Sequence, residues 1–287
     1  MKGLLGLLSL LIRENLIPGH IERTPEELLV MESPEQVTAW HAQGADEGPM
    51  LPIYHLNALA CSRLLPGSGT VVDLGCGSGQ FSAYLARRRP DLKIVGFDLS
   101  KPMVDLGNAA LAESGLGDRV ELRVGDMTAF ASALPPDTAL VACQFALHHL
   151  PSLLHVEQCL AELATARAQT NCALWFFDLV RPRHASTVLA YPEILTPDAP
   201  EVFRLDSSNS LRASYAHAEL REVVDRVFGR SAIKSALAKI FPLYQAFWAT
   251  GTGGAQPIGE FVSGRRLSPM GFLQYRALRV ILSGIPQ

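Results

Sequence analysis

The stretch T-V-V-D-L-G-C-G-S-G-Q, residues 70–80, decides the fold of this 287-residue chain. Val71, Val72 and Leu74 form a short, largely β-branched apolar run, which predicts a buried strand. Three glycines at alternate positions follow it. They predict a sharp turn onto a helix that runs to about Arg89, because glycine adopts positive φ angles and has no Cβ to obstruct a ligand.

Apolar strand-like runs alternate with helix-like segments beyond this stretch. This alternation predicts parallel β-α-β units and therefore an α/β fold. A helix is expected over residues 101–114, and another after Pro151 up to about Ala168. The further strands are predicted at residues 93–97, 119–124, 139–143 and 172–177.

Three acidic residues accompany the first three predicted strands. Asp73 lies on the first strand, Asp98 ends the second, and Asp126 follows the third. The glycine turn alone is a weak signal, because the dinucleotide pattern G-x-G-x-x-G requires a glycine where this chain has Gln80. The three acidic residues, each placed at a successive strand, make the prediction of a nucleotide-type ligand site more specific.

These motifs resemble those of the class I S-adenosylmethionine-dependent methyltransferases over residues 71–178. The resemblance implies a Rossmann-like, doubly wound, mostly parallel sheet of seven strands, and S-adenosylmethionine as the cofactor. It also implies that Asp98 binds the ribose hydroxyls and that Asp126 meets the adenine. The cofactor-binding residues expected from it are Asp73, Gly75, Cys76, Gly77, Gly79, Asp98, Leu99, Ser100, Met103, Gly125, Asp126, Met127, Gln144, Phe145 and His149.

Four side chains are candidates for the reacting centre. The tyrosines Tyr54 and Tyr191 would present aromatic faces to a sulfonium cation. Gln144 begins the motif after the fourth strand and would hydrogen-bond the acceptor or the cofactor. His148 follows in the same motif, where a histidine serves either as a proton acceptor or as part of the wall. Ordinary packing is the competing interpretation for both tyrosines and for one of the two adjacent histidines.

Residues 1–69 form a long lead before the first strand of the sheet and are expected to be a helical lid. Leu4, Leu7, Leu8 and Leu11 fall on one helical stripe, which favours a helix packed on the core or on a second copy of the chain. Ten apolar residues are too few to span a bilayer, so stable membrane insertion is not expected. Thr24–Glu27 has the pattern of a helix start.

We expect the rest of the chain to divide into three parts. They are a cofactor-binding core over residues 70–180, an insertion over 181–214 and a C-terminal part of the core over 215–287. The insertion contains four prolines and is too long for a plain loop, which favours a cover over the substrate. The final third is ambiguous, since residues 274–281 suit either a strand or a helix.

Composition narrows the function further. The net charge is −3, from 25 basic and 28 acidic side chains, which argues against a nucleic-acid partner. The five cysteines form no C-x-x-C pair and are expected to be reduced thiols in a cytoplasmic protein. The sequence shows no metal-ligand spacing, so no metal is expected.

The leading hypothesis is methyl transfer to an O, N, S or C nucleophile of a small molecule. The first alternative uses the same cofactor for aminocarboxypropyl transfer or for cyclisation, releasing methylthioadenosine. The second alternative is a cofactor-binding partner protein without catalysis. A homodimer through the N-terminal helix is compatible with all three.

Overall fold

Seven strands form one sheet in the computed structural model, which describes residues 2–27, 33–44, 48–65, 67–239, 241–251 and 267–286. The strand order is β3-β2-β1-β4-β5-β7-β6. The first five strands are parallel, and β7 runs antiparallel to both of its neighbours. The bounds are β1 Gly69–Leu74, β2 Leu92–Asp98, β3 Val120–Val124, β4 Thr138–Gln144, β5 Ala173–Leu179, β6 Lys234–Leu237 and β7 Tyr244–Ala249. The doubly wound, mostly parallel seven-stranded sheet expected from the sequence is confirmed.

Ten α-helices lie in the part of the chain that the structure describes. They are α1 Lys2–Leu16, α2 Pro34–Gln43, α3 Leu51–Leu64, α4 Gln80–Arg88, α5 Lys101–Glu113, α6 Leu153–Thr170, α7 Ala185–Leu195, α8 Glu201–Ala213, α9 His217–Phe228 and α10 Pro269–Ile281. Across the described ranges, these helices are all too short or too polar to cross a membrane.

Helices cover both faces of the sheet, as the uninterrupted apolar strands require. Val71 belongs to one apolar cluster and its neighbour Val72 to the other, because successive side chains of a strand point to opposite faces. The first cluster includes side chains of α3, α4 and α5, and the second includes those of α6 and α9. Trp175 of β5 is fully buried and donates from Nε1 to Asn57 Oδ1 at 2.7 Å, which joins α3 to the sheet.

The lead before β1 is helical and α1 packs inward as expected, but the expected stripe is wrong at Leu8 and the expected helix start at Thr24 is also wrong. The side chain of Leu4 lies outside the described residues. On α1, the side that packs inward carries Leu7, Leu10, Leu11 and Glu14, whereas Leu8 is half exposed. Glu14 fixes this rotation, because its buried Oε2 accepts a hydrogen bond of 2.8 Å from the backbone N–H of Arg183. The inward side of α1 therefore includes the hydrogen bond of Glu14, which the spacing of the leucines does not predict.

The second error concerns Thr24–Glu27, where none of the four residues is helical. Arg23 holds this segment against the turn that follows β4 and against the end of α8. Its guanidinium donates to the carbonyl oxygens of His148, Leu150, Pro151 and Ala213 at 2.6–3.1 Å. These long-range bonds outweigh the local preference for a helix.

Residues 181–214, expected to be an insertion, contain α7 and α8. The ambiguous end of the chain is resolved as well: residues 274–281 belong to α10, and β6 and β7 form the antiparallel closing pair that the sequence did not reveal. Helix α10 packs on α3, and α7 packs on α1 and on α8. These helices form a layer over one end of the sheet.

Candidate active site

A cavity of about 940 Å³ lies where the parallel strands end. Its floor includes residues at the carboxyl ends of β1, β2, β4 and β5, such as Asp73, Asp98, Gln144 and Leu179. Its roof comes from helices α1, α2, α3, α7, α8 and α10. The crevice beyond the carboxyl ends of the strands, near the point where the strand order reverses, is the usual ligand site of such sheets.

The turn after β1 leaves room for a ligand next to its backbone. Gly75 and Gly77 have φ angles of 66° and 53°, which residues with a side chain rarely adopt. A Cβ on Gly75 would lie 2.2 Å from the Cβ of Ala146, so this position has no room for a side chain. A Cβ on Gly77 would meet no atom of the described residues within 4 Å, and Gly77 lines the cavity. The space above Gly77 is therefore open to a ligand.

The carboxylate of Asp98 is held at the edge of this opening. It accepts from the backbone N–H of Gly77 at 2.7 Å and from that of Ser100 at 2.8 Å. Burial raises the pKa of Asp98. The two bonds orient the carboxylate and leave its remaining lone pairs available to hydroxyl donors.

The other two acids of the motif have different surroundings. Asp73 is buried beneath the turn and accepts from Ser82 Oγ at 2.6 Å. Burial, together with the negative charge of Asp98, raises the pKa of Asp73 to about 7. Asp126 is exposed and does not line the cavity; its Oδ1 accepts from the backbone N–H and hydroxyl of Thr128 at 2.7 and 2.8 Å. Its neighbours Gly125 and Met127 line the cavity instead.

Most of the residues expected at the site do meet around this one cavity. The two that do not line it are Asp126 and Gly79, which caps α4 and packs against Leu122. The expected residues that line it are Tyr54, Asp73, Gly75, Cys76, Gly77, Asp98, Leu99, Ser100, Met103, Gly125, Met127, Gln144, Phe145, His148, His149 and Tyr191.

Gln144 ends β4 with an unusual side chain. Its amide nitrogen and oxygen are both buried, and neither has a hydrogen-bond partner among the described residues. A buried amide without partners is costly, so a polar ligand group is the expected partner. The next residue, Phe145, has a φ of 51°, a conformation that residues with a side chain adopt mainly where the surroundings enforce it.

His148 and Asp178 form a buried pair beside Gln144. His148 Nδ1 lies 2.6 Å from Asp178 Oδ1, and the backbone N–H of His148 donates to Asp178 Oδ2 at 3.0 Å. A carboxylate at Nδ1 selects the tautomer with a proton on Nδ1 and a lone pair on Nε2. Nε2 is buried and has no partner in the described part of the chain. Asp178 directly follows the strand predicted over residues 172–177, but no sequence pattern predicts that it pairs with His148.

His149 makes a second pair with Glu26, which comes from the non-helical segment held by Arg23. His149 Nδ1 lies 2.5 Å from Glu26 Oε2, and Ser210 Oγ donates to Glu26 Oε1 at 2.9 Å. Burial opposes the charged imidazolium, but the hydrogen bond and charge of Glu26 outweigh it and raise the pKa of His149. A helix start at Thr24 would place Glu26 in a first helical turn, so no sequence pattern predicts that Glu26 pairs with His149.

The roof of the cavity is largely apolar and aromatic. The hydroxyl groups of Tyr191 and Tyr244 share a short hydrogen bond, and Trp40 packs on Phe203 with ring centroids 4.6 Å apart. Burial raises the pKa of both Tyr191 and Tyr244, so these phenols stay protonated near neutral pH. Other apolar residues of the roof are Leu7, Leu11, Ile53, Leu195, Phe241, Leu278 and Ile281.

The floor suits an adenosyl amino acid such as S-adenosylmethionine. It offers an open glycine turn for close approach and an oriented carboxylate at Asp98 for ribose hydroxyls. It also offers the Gln144 amide, which has no hydrogen-bond partner among the described residues, for a polar group. These features occupy one continuous edge of the sheet, so the residues present fit the cofactor that the sequence motifs imply.

Comparison with known proteins agrees with this geometry. Residues 71–168 match the family model of the methyltransferase domain. The chain is 42% identical over 81 residues to the trans-aconitate 2-methyltransferase of Mycobacterium tuberculosis, covering 28% of this chain and 27% of that protein. It is 30% identical over 124 residues to the ubiquinone biosynthesis O-methyltransferase of Aeromonas salmonicida, covering 41% and 50%.

Solved structures share the fold at low sequence identity. The plantazolicin methyltransferase BpumL in complex with SAH is 14% identical with a TM-score of 0.56, over 77% of this chain and 91% of that one. An S-adenosylmethionine-dependent methyltransferase from Aquifex aeolicus is 16% identical with a TM-score of 0.52, over 76% and 97%.

Residues 71–168 therefore form a methyltransferase domain, and the resemblance to class I S-adenosylmethionine-dependent methyltransferases is confirmed for this part of the chain. The chain spans about a quarter of the length of the mycobacterial relative and half of the Aeromonas one. Helices α1 to α3 and α7 to α10 lie outside the matched domain, and all of them except α9 contribute to the roof of the cavity.

Proposed function

We propose that this chain is an S-adenosylmethionine-dependent methyltransferase that methylates a hydroxyl group of a small, largely apolar molecule. The observation that carries the choice of a hydroxyl is the buried His148–Asp178 pair at the edge of the cavity. Thiols, amines and carbanions need little help as nucleophiles, whereas a hydroxyl benefits from a general base.

The cofactor half of the proposal rests on the matched domain and on the cavity floor. Asp98, Gln144 and the glycine turn around Gly77 would hold the cofactor. When bound, S-adenosylmethionine supplies an electrophilic methyl carbon attached to a sulfonium. The task left to the protein is to position the nucleophile and to exclude water.

His148 is proposed as the residue that accepts the proton of the acceptor. Asp178 holds Nδ1, so that Nε2 presents its lone pair and takes the hydroxyl proton. Asp178 then stabilises the resulting imidazolium across the 2.6 Å contact. The raised pKa of Tyr191 and of Tyr244 makes these phenols poor proton acceptors, which leaves them a role in shaping the pocket.

The size and lining of the roof support a small apolar acceptor. A cavity of about 940 Å³ holds a cofactor together with a second small molecule, within the usual range for ligand sites. Aromatic and aliphatic side chains from α1, α7, α8 and α10 enclose the acceptor side. The two curated relatives described above are named for trans-aconitate and for ubiquinone biosynthesis, both of which concern small molecules.

Compartment and assembly are part of the same proposal. The five cysteines are free, and four of them are buried, which suits the reducing cytoplasm. Leu5, Leu8, Ile12 and Leu16 form an exposed apolar side of α1, which suits contact with a second copy of the chain.

Product analysis tests the function. The purified chain is incubated with S-adenosylmethionine and with matched alcohols, phenols, amines and thiols of similar size. We expect S-adenosylhomocysteine together with an O-methylated product. Release of methylthioadenosine would show that another bond of the sulfonium breaks, and preferred methylation of amines or thiols would contradict the assignment of a hydroxyl acceptor.

A further inference from the structure

Three side chains that the sequence does not group together meet at one side of the cavity. They are Glu26, His148 and His149, and all three line the cavity. Each offers one potential metal-ligand atom, and these three atoms lie within 4.8 Å of one another. The two imidazole rings lie with their centroids 4.2 Å apart. We call this group the His–Glu cluster.

The cluster is withdrawn from solvent. The side chain of His148 is 3% exposed, that of Glu26 is 10% exposed and that of His149 is 28% exposed. Nε2 of His148 is buried, and the described residues provide it with no hydrogen-bond partner. A buried imidazole nitrogen with a free lone pair is a ready ligand for a cation, and its isolation is an observation independent of the grouping.

The types of donor atom indicate which cation would fit. Two imidazoles and one carboxylate are a preferred ligand set of Zn²⁺ and of similar transition-metal ions. Mg²⁺ and Ca²⁺ prefer sites made of oxygen atoms, so they suit this set poorly. Three protein ligands leave at least one coordination position free on the side of the cavity.

The groups behind the ligands support the same interpretation. Asp178 Oδ1 lies 2.6 Å from His148 Nδ1, on the opposite side of the ring from Nε2. Ser210 Oγ donates to Glu26 Oε1 at 2.9 Å. A carboxylate behind a histidine ligand and a hydrogen bond to a ligating carboxylate are regular features of transition-metal sites, because they orient the ligands.

We propose that Glu26, His148 and His149 bind Zn²⁺ or a chemically similar transition-metal ion, and that this ion competes with the acceptor for Nε2 of His148. Binding itself depends only on the cluster. The competition rests on the proposed function, in which the same lone pair takes the hydroxyl proton. Zn²⁺ would therefore inhibit methyl transfer, and a chelator would restore it.

Cobalt provides the direct test of binding, because Co²⁺ at a His-carboxylate site absorbs in the visible range. Protein freed of metal by a chelator is titrated with Co²⁺, and Zn²⁺ is then added to displace it. We expect one Co²⁺ per chain, and affinity at least tenfold lower in Glu26→Gln and in His149→Asn. Circular dichroism and the melting temperature of each variant show whether it is folded.

The chain offers a matched control pair. His20 Nε2 lies 3.1 Å from Glu22 Oε1, but both side chains are well exposed, and among the described residues they belong to no cluster of three ligands. We expect His20→Asn and Glu22→Gln to bind Co²⁺ like the wild type. Absence of a Co²⁺ spectrum in the wild type, or equal uptake by wild type and by folded Glu26→Gln and His149→Asn, would overturn the proposed site.

Measurements of methyl-transfer turnover distinguish a failure of the proposed metal site from a failure of the proposed function. Stoichiometric Zn²⁺ is expected to reduce turnover of the metal-free wild type at least tenfold, and a chelator is expected to reverse the loss. Co²⁺ binding at the cluster without any inhibition by Zn²⁺ would leave the metal site standing and contradict His148 as the proton acceptor. Activation by Zn²⁺ would overturn the competition.

Discussion

The floor and the roof of the cavity are built in different ways. The floor comes from turns at the ends of neighbouring parallel strands, so residues such as Gly77, Asp98 and Gln144 reach it through sheet topology alone. The roof collects side chains from segments that are distant in sequence, namely helices α1, α2, α3, α7, α8 and α10 and the segment around Glu26. The proposed cofactor site thus uses the part of the fold that many chemistries share, and the proposed acceptor site uses the part particular to this chain.

The largest expected effect belongs to His148, which lies between the two sides. His148→Asn should lower kcat by about 10²–10⁴-fold, the usual contribution of a positioned general base. The affinity for S-adenosylmethionine should change little, because the proposed role concerns the acceptor. The measurement is steady-state kinetics with an identified acceptor, alongside calorimetry of cofactor binding.

His155 is a control for this substitution, since its Nδ1 lies 2.8 Å from Ser152 Oγ and it does not line the cavity. His155→Asn is expected to retain wild-type kcat. Equal kcat values for His148→Asn and the wild type would contradict the base, and equal losses in both histidine variants would indicate a general effect on folding.

The next effect concerns the open turn of the floor. Gly77→Ala should weaken S-adenosylmethionine binding about tenfold or more, because the new Cβ enters the space next to the backbone. Gly115→Ala is matched to it: Gly115 also has a positive φ, 69°, and a Cβ there would also meet nothing within 4 Å, but it lies outside the cavity. Both variants should lose about 1–2 kcal/mol of stability from the left-handed backbone.

Calorimetry and thermal unfolding of the two glycine variants separate strain from ligand contact. Weaker cofactor binding in Gly77→Ala alone is the expected pattern. If both variants lost affinity equally, backbone strain would be the cause, and the space above Gly77 would have no special role.

The floor should also show a pH dependence that arises from Asp73. Burial raises the pKa of Asp73 to about 7, above the value of 3.8 for a free side chain. Ionising this group in the folded state is therefore unfavourable, so the folded wild type loses stability as the pH rises from about 4 to about 7. Asp73→Asn removes that loss and should gain up to about 3 kcal/mol relative to the wild type between pH 5 and pH 8.

Thermal or denaturant unfolding without cofactor, at pH 5 and at pH 8, measures the Asp73 effect. A stability difference between variant and wild type that stays constant across this range would contradict the raised pKa of Asp73.

The smallest effect is expected in the roof. Tyr191→Phe removes one partner of the hydroxyl pair with Tyr244 but keeps the aromatic surface. We expect the KM for the acceptor to rise a few-fold, because Tyr244 loses its partner at the acceptor side, while kcat falls by less than about tenfold. A loss comparable to that of His148→Asn would show that the Tyr191 hydroxyl takes part in proton transfer.

The same contrast explains what the sequence alone could predict. The floor can be predicted from the sequence because each of its motifs is local. These motifs are an apolar run, a glycine turn and an acidic residue at the end of a strand. Gln144 and His148 were identified from their place after the fourth strand, and the structure puts both on the cavity. Asp126 is the exception, since the bonds to Thr128 turn its carboxylate away from the cavity.

The contacts of the roof cannot be predicted from local sequence patterns, because they join segments that are distant in sequence. Glu26 reaches His149 across 123 positions of sequence, and the bonds of Arg23 that hold it there are equally long-range. The local sequence pattern favours a helix that starts at Thr24, but the long-range hydrogen bonds of Arg23 stabilise a non-helical segment instead. Leu7 and Leu11 of α1 face inward as predicted, whereas Leu8 faces outward because the bond from Arg183 to Glu14 sets the rotation of the helix.

Calorimetric titration of S-adenosylmethionine into wild type, Asp98→Ala and Tyr191→Phe tests the division between floor and roof most directly. We expect one site per chain in the wild type. We expect affinity about tenfold or more lower in Asp98→Ala, because charge-assisted hydrogen bonds contribute roughly 1.5–3 kcal/mol. We expect unchanged affinity in Tyr191→Phe. Unchanged affinity in a folded Asp98→Ala, or an equal loss in both variants, would contradict the account.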